Sequence, residues 1–277
     1  MDKDAIIIER LDGTRYNLQE EGVRVIAFDP PVANNANTYA TVGHYGVMTT
    51  NVQFQQLSIP MSFIVESKNV FDYELQRLKV AKIFDSQTMF YVINSRIPYI
   101  RWKVRADPFT YLRNNGGSRT QVISVNLVCP DGFAETAVTS LHLFDDNKRN
   151  AGFGMGIDGN NLPEYSFTNQ KKFSFVNLGR IPLLANEHPV TVTFVGDAPK
   201  GITLINHTTN QSFQYKQALT KKNTFKLVGL IPIVDGGQRL GHNYSSRSFL
   251  DYESGINQIE VVGSDNFTIS FETRFYF

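Results

Sequence analysis

The chain has 277 residues, 42% hydrophobic and 19% charged, with a net charge of +1. That is enough apolar material for one or two folded domains and the reverse of the balance that leaves a chain disordered. The near-neutral charge speaks against a general nucleic-acid-binding surface, which needs a strongly basic face. The single cysteine, Cys129, rules out a disulfide within the chain and a thiolate zinc cluster. No basic leader precedes the short apolar run at residues 6–8, and no apolar stretch nears the roughly 20 residues of a membrane helix. The expectation is a soluble protein made in a reducing cytoplasm.

Phe (21), Tyr (12), Gly (20) and Pro (11) are abundant. Aromatic residues punctuated by turn formers favour sheet over helix. In chain order, residues 5–10 and 15–18 read as a hairpin around Asp12-Gly13. Residues 23–28 are a predicted strand ended by Pro30-Pro31, and residues 32–46 a long loop. Residues 53–64 alternate weakly, with Pro60 marking an edge or a bulge.

Residues 69–84, NVFDYELQRLKVAKIF, read as a helix. Asn69 caps it with Asp72 three residues on, and acidic residues come early and basic ones late, as the helix dipole prefers. Phe71, Leu75 and Leu78 share one stripe, placed on the chain's own sheet. Tyr73, Val80 and Phe84 fall on the opposite side. That second set needs a second partner, within the chain or outside it, or stands partly exposed.

Residues 89–93 follow as a strand. Residues 96–128 read as a long hairpin with a glycine tip at residues 114–117. Trp102 on its first arm serves core packing or, alternatively, a stacking platform for a ligand. A domain boundary is expected at 140, with residues 145–163 as surface loop. Short strands then recur at 165–177, 190–195, 202–205, 211–214, 224–228 and 258–262, the spacing of a sandwich or barrel. A half-buried strand over residues 267–277 closes the chain.

Chemistry is sparse. Residues 154–159, GMGIDG, match the dinucleotide fingerprint but lack the strand before and the helix after that phosphate binding requires. The five histidines (His44, His142, His188, His207, His242) are scattered, and no nucleophile elbow or full calcium loop is present. The Asn-X-Ser/Thr matches at Asn206, Asn210, Asn243 and Asn266 read as turn chemistry. No catalytic residue, cofactor or metal site is assigned, and binding or assembly is the expected role.

The order of features carries a resemblance. An LDG hairpin leads to VGHYGV, then FDYELQRLKVAKIF, YVINSRIPYIRWKVRADP and CPDGFAET, and the chain closes on SGINQIEVVGSDNFTISFETRFYF. This set resembles the distal tail proteins of siphophages infecting Gram-positive bacteria. The resemblance implies a mainly β chain in two domains. Residues 1–140 would be a ring-forming domain with one helix and a long hairpin. Residues 141–277 would be a galectin-like β-sandwich on the outside of the ring. It implies a non-enzymatic hexameric hub at the virion tail tip, assembled in the bacterial cytoplasm. The hub would join the tail-tube protein to tip, receptor-binding and baseplate proteins, with DNA passing unread through its channel and no membrane contact. On that reading Tyr73, Val80 and Phe84 meet the neighbouring subunit. The alternative is a carbohydrate-binding sandwich recognising a host surface glycan, although the C-terminal half has no Trp for stacking.

Overall fold

The computed structural model describes residues 5–32, 35–113, 120–145, 151–152, 154–158 and 160–277; of Val52 and residues 238–240 it describes the backbone alone. The chain divides into two compact units, residues 1–135 and 136–277, with the division five residues before the expected boundary.

The first unit runs β1 (Ile6–Arg10), β2 (Arg15–Asn17), β3 (Val23–Phe28), β4 (Asn35–Thr41), β5 (Val47–Phe54), β6 (Leu57–Val65), α1 (Val70–Ile83), β7 (Phe90–Asn94), β8 (Ile100–Ala106) and β9 (Ile123–Cys129). The two-residue strand β10 (Glu135–Thr136) stands at the division. The main sheet has the order β2-β1-β7-β8-β9-β6-β3. Strand β6 shows its logic: Leu57, Ile59, Met61, Phe63 and Val65 are buried while the residues between them turn outward, the period-two pattern of a half-buried strand.

Pro60 marks an edge or a bulge in the sequence; β6 lies between β9 and β3, and its ladder with β3 carries a register shift between Val25 and Ala27. The β3 ladder ends at Phe28↔Met61, so the missing proline N–H falls where no ladder bond is needed. The expected hairpin of β8 and β9 is short: they pair only through Arg105↔Val128 and Ala106↔Leu127. Its glycine tip at residues 114–117 lies outside the described residues. The expected loop over residues 32–46 is a correction. Strands β4 and β5 pair with each other from Asn35↔Phe54 to Thr41↔Val47 and form a two-stranded sheet of their own. Gly43 and Gly46, at φ of +64° and +96°, make the intervening turn, a backbone conformation that costs glycine little.

The second unit opens with a single 3-10 turn, Ser140–His142, and holds β11 (Ser166–Thr168), β12 (Lys172–Asn177), β13 (Thr191–Asp197), β14 (Ile202–Asn206), β15 (Gln211–Tyr215), β16 (Phe225–Val228), β17 (Ile231–Val234), β18 (Gly255–Val262) and β19 (Asn266–Glu272). A five-stranded sheet, β11-β19-β13-β16-β17, faces a four-stranded one, β12-β18-β14-β15. Phe175 of β12 meets Phe271 of β19 across the gap at 5.2 Å between ring centroids, so the unit is a β-sandwich. The expected single strand at 165–177 is split. Asn169 takes a positive φ of 56°, and the turn sends β11 to one sheet and β12 to the other. The closing strand ends at Glu272 rather than running to the last residue, although Phe275 stays fully buried.

A charged cluster sits inside the first unit. Arg101, 7% exposed, donates from Nη1 to Glu9 Oε1 at 2.9 Å and from Nε to Glu135 Oε1 at 2.8 Å. Its guanidinium lies 3.5 Å from the centroid of the Tyr91 ring, and Arg15 binds the other oxygen of Glu9. Breaking a buried pair costs more than a pair contributes, because the remaining charge keeps its desolvation penalty. Arg101→Met is expected to destabilise the first unit by about 3 kcal/mol, the low end of the usual range because Arg15 still holds Glu9. Denaturant unfolding of the full chain checks this; an unchanged midpoint would refute a structural role for the cluster.

Candidate functional site: an exposed helix face and an uncharged hairpin

Helix α1 forms where its cap predicts. The Asn69 side chain accepts from the Asp72 amide at 2.9 Å, satisfying one of the free donors of the first turn, and Asp72 in turn accepts from the Lys68 amide. The Lys79 ammonium anchors the helix to Glu21 after β2, through both its carboxylate and its backbone carbonyl.

The rotation of the helix reverses the expected one. Tyr73, Val80 and Phe84, the residues assigned to a neighbouring subunit, are buried within the chain at 8%, 1% and 4% exposure. Phe84 stacks on Phe63 of β6 at 5.4 Å with planes 3° apart, and Phe109 and Phe90 close on it edge-on. The Tyr73 hydroxyl donates to the Tyr111 carbonyl at 3.1 Å. Ile83 joins this face, which makes it the wider of the two stripes. The stripe expected to cover the sheet is the one left in solvent: Phe71 is 84% exposed, Leu75 65% and Leu78 69%. Three large apolar side chains on one helix face, with Val70 beside them, form an uncovered patch of the kind that marks an interaction site.

A second uncovered surface is the β4–β5 hairpin, which sequence reasoning missed. From Asn37 to Gln56 every side chain described is exposed, among them Tyr45, Val47 and Met48. Between Asp29 and Glu66 the sequence holds no Asp, Glu, Lys or Arg. Exposed strands usually carry charges that discourage pairing with another chain; this hairpin carries none. The signal available in the sequence was that uncharged run, together with two glycines flanking a short turn.

The remaining sequence candidates fall elsewhere. Trp102 is 9% exposed and packs edge-on against Phe28 at 5.5 Å, so its ring is core rather than platform. Cys129 is fully buried, and burial raises its thiol pKa. Gly154 and Gly156 hold positive φ in a turn; Gly159 lies outside the described residues. Among the described residues no group of three His, Cys, Asp or Glu side chains can hold a metal ion, and no helix is long and apolar enough to cross a membrane.

In the second unit, the outward residues of β12 and β18 include Lys172, Ser174, Gln258 and Glu260. His207 Nε2 meets Glu260 Oε2 at 2.7 Å, and this hydrogen bond, ahead of the nearby Lys172 charge, lowers the Glu260 pKa. No aromatic ring stands among the outward residues of the four strands of this sheet. Behind β12, a cleft of about 660 Å³ is lined by Met155, Asp158, Asn161, Ser174, Asn177 and Ile256, among others.

Residues 11–129 match the family model of the phage tail protein RIFT-related domain. The match falls within the first unit, the one that bears both uncovered surfaces. Among solved structures the chain is similar to the Dit protein of phage SPP1, described as a paradigm of the hub of the adsorption apparatus in phages infecting Gram-positive bacteria. The identity is 12%, over 98% of this chain and 99% of that one, with a TM-score of 0.68. A chain of the phage p2 baseplate, in its activated conformation with strontium, is similar at 10% identity over 98% of this chain and 97% of that one, with a TM-score of 0.50. The chain thus has the fold of the SPP1 Dit protein. A comparison with curated proteins finds no match.

Two predictions follow from the helix. Phe84→Ala is expected to cost about 3–5 kcal/mol through the cavity it leaves, whereas Phe71→Ala leaves the stability of the unassembled chain within about 0.5 kcal/mol. Equal losses in denaturant unfolding would overturn the rotation described. The Tyr111 hydroxyl is buried without a hydrogen-bond partner, and burial pushes its pKa from 10.0 up to about 12, with Tyr73 adding to the shift. The folded chain therefore keeps this proton after the unfolded chain has lost it, and stability falls as pH rises from about 10 to 12. Tyr111→Phe is expected to flatten that alkaline slope without loss of thermal stability at pH 7, read by melting curves across pH.

Proposed function

We propose that the chain is a distal tail protein, the hub that joins the tail tube to the tip of a siphophage. In this reading residues 1–135 of each copy close into a ring of six, with a central channel through which DNA passes without being read. The second unit is a galectin-like sandwich that docks tip, receptor-binding or baseplate proteins. The hub assembles in the host cytoplasm, touches no membrane and performs no catalysis. The observation that carries this reading is the coincidence of the tail-domain match over residues 11–129 with uncovered apolar surface on that same unit. An unassembled chain would hold that surface against water at a cost, and assembly removes the cost.

A carbohydrate-binding role has less support. Sugar rings are held by stacking on an exposed aromatic face together with directed polar groups, and the outward side of the four-stranded sheet supplies only the polar groups.

The test is the mass of the purified full-length chain by light scattering, with negative-stain images of the same peak. Six copies around a central hole are expected. A clean monomer at the highest soluble concentration would overturn the ring.

A further inference from the structure

We infer that the second unit takes an extended peptide segment of a partner protein by strand addition to the open edge of β12, in the cleft beside it. This gives the docking unit proposed above a site, and rests on that reading.

The open edge follows from the register. The Val261 amide donates to the Lys171 carbonyl at 2.8 Å, and the pairing continues through Phe173↔Ile259, Phe175↔Asn257 and Asn177↔Gly255. Bonded and non-bonded pairs alternate along an antiparallel ladder. The backbone groups of Phe173 and Phe175 therefore point at β18, and those of Lys172, Ser174 and Val176 point away from it. Strand β12 ends its sheet, so no strand of that sheet receives them. The Tyr165 hydroxyl donates to the Val176 carbonyl at 2.9 Å. Among the described residues nothing pairs with the Ser174 amide, the Ser174 carbonyl or the Val176 amide. The other edge of the same sheet is treated differently. The Lys216 amide donates to the Tyr244 carbonyl, and Ser246 exchanges bonds with Gln214, so residues 244–246 cover β15. An edge left open where its counterpart is covered is a template for a further strand.

The cleft supplies the room. Ser174 and Val176 line it together with Ile157, Leu162 and Ile256, three apolar residues that are each at least partly exposed. Side chains of an added strand alternate between its two faces, so one set meets these residues. Charge settles the rest of the occupant's chemistry. Asp158 and Glu164 are exposed in the lining, and among the described residues that line the cleft there is no Lys, Arg or His. Lys172, at the start of the strand, is held by Glu260. The occupant is therefore an extended segment with apolar residues at alternate positions and a Lys or Arg beside them.

The test is a selection of random short peptides on the immobilised full-length chain, with the selected peptides then titrated in solution. They are expected to alternate apolar residues and to carry Lys or Arg. Ser174→Pro removes one edge donor and spares the β12–β18 ladder, because that amide is not part of it. It is expected to weaken binding by about tenfold or more, the worth of one backbone hydrogen bond lost with its donor. Ser174→Ala keeps the amide and is expected to bind as the wild type does. Asp158→Lys is expected to reduce the preference for basic peptides. Methylating a selected peptide on the amides that face β12 is expected to abolish binding, and methylating the alternate amides to leave it intact. That comparison needs no variant, so it stands even where Ser174→Pro does not fold. Peptides that tolerate methylation of either set, or bind folded Ser174→Pro as tightly as wild type, overturn strand addition, as does a selection that enriches nothing. Neither failure touches the ring, which the mass of the chain decides. A monomer that binds these peptides would unseat the ring and keep the cleft.

Discussion

The stacking of Phe84 on Phe63 decides more of this molecule than any other contact. It holds the rotation of α1 about its axis, because the ring sits among Phe63, Phe90 and Phe109. Val80 and Ile83 follow it inward, and so does Tyr73, about three turns before Phe84. Once those residues are inside, geometry at 3.6 residues per turn carries Phe71, Leu75 and Leu78 outward. A helix that is apolar on two sides cannot satisfy both against one sheet. The core of the first unit thus creates the exposed surface as a direct consequence of its own packing.

The hairpin continues the same logic by different means. A strand pair with nothing on either flank is marginal in water, and here it lacks the charges that keep edges apart. The chain is not short of charge: 27 basic and 26 acidic residues lie along it, yet none falls between Asp29 and Glu66. Solubility is left to the rest of the surface. That arrangement suits an element whose working state is covered, and it makes the unassembled chain the less comfortable one.

The sequence disclosed what depends on local chemistry. The Asn69 cap, the β6 alternation and the burial of Phe267, Ile269 and Phe271 in the last strand all follow from residue order at a fixed period, and each stands in the structure. What it concealed depends on partners distant in the chain. The two stripes of α1 look equivalent on a wheel. The aromatic pocket that separates them is assembled from residues 63, 84, 90 and 109, which only the fold brings together. The hairpin was masked by Asn, Gly and Thr, which read as loop when no alternating core residues accompany them. Strand β17 was hidden by Pro232, which an edge strand tolerates. The turn at Asn169 needed a left-handed conformation that nothing nearby announces. The candidate site was legible as a question, a helix with two apolar faces, and the answer was the face opposite to the one chosen.

The two units treat water differently, and the difference bears on their roles. Outward residues of the second unit are joined in polar pairs across strands: His207 with Glu260, Ser174 with Gln258. Its exposed apolar residues are fewer, among them Leu230 with Ile231 at one turn and Ile256 and Val262 at the two ends of β18, and exposure on this scale is normal on a folded surface. The first unit groups many of its exposed apolar residues on one helix face and one ribbon, with others such as Leu11, Ile26 and Val122 standing apart. Desolvating the exposed apolar residues of α1 and the hairpin is favourable, whereas the polar pairs of the second unit resist it. A surface satisfied by its own hydrogen bonds gains little from burial. The two units thus differ in how each places its polar and apolar side chains.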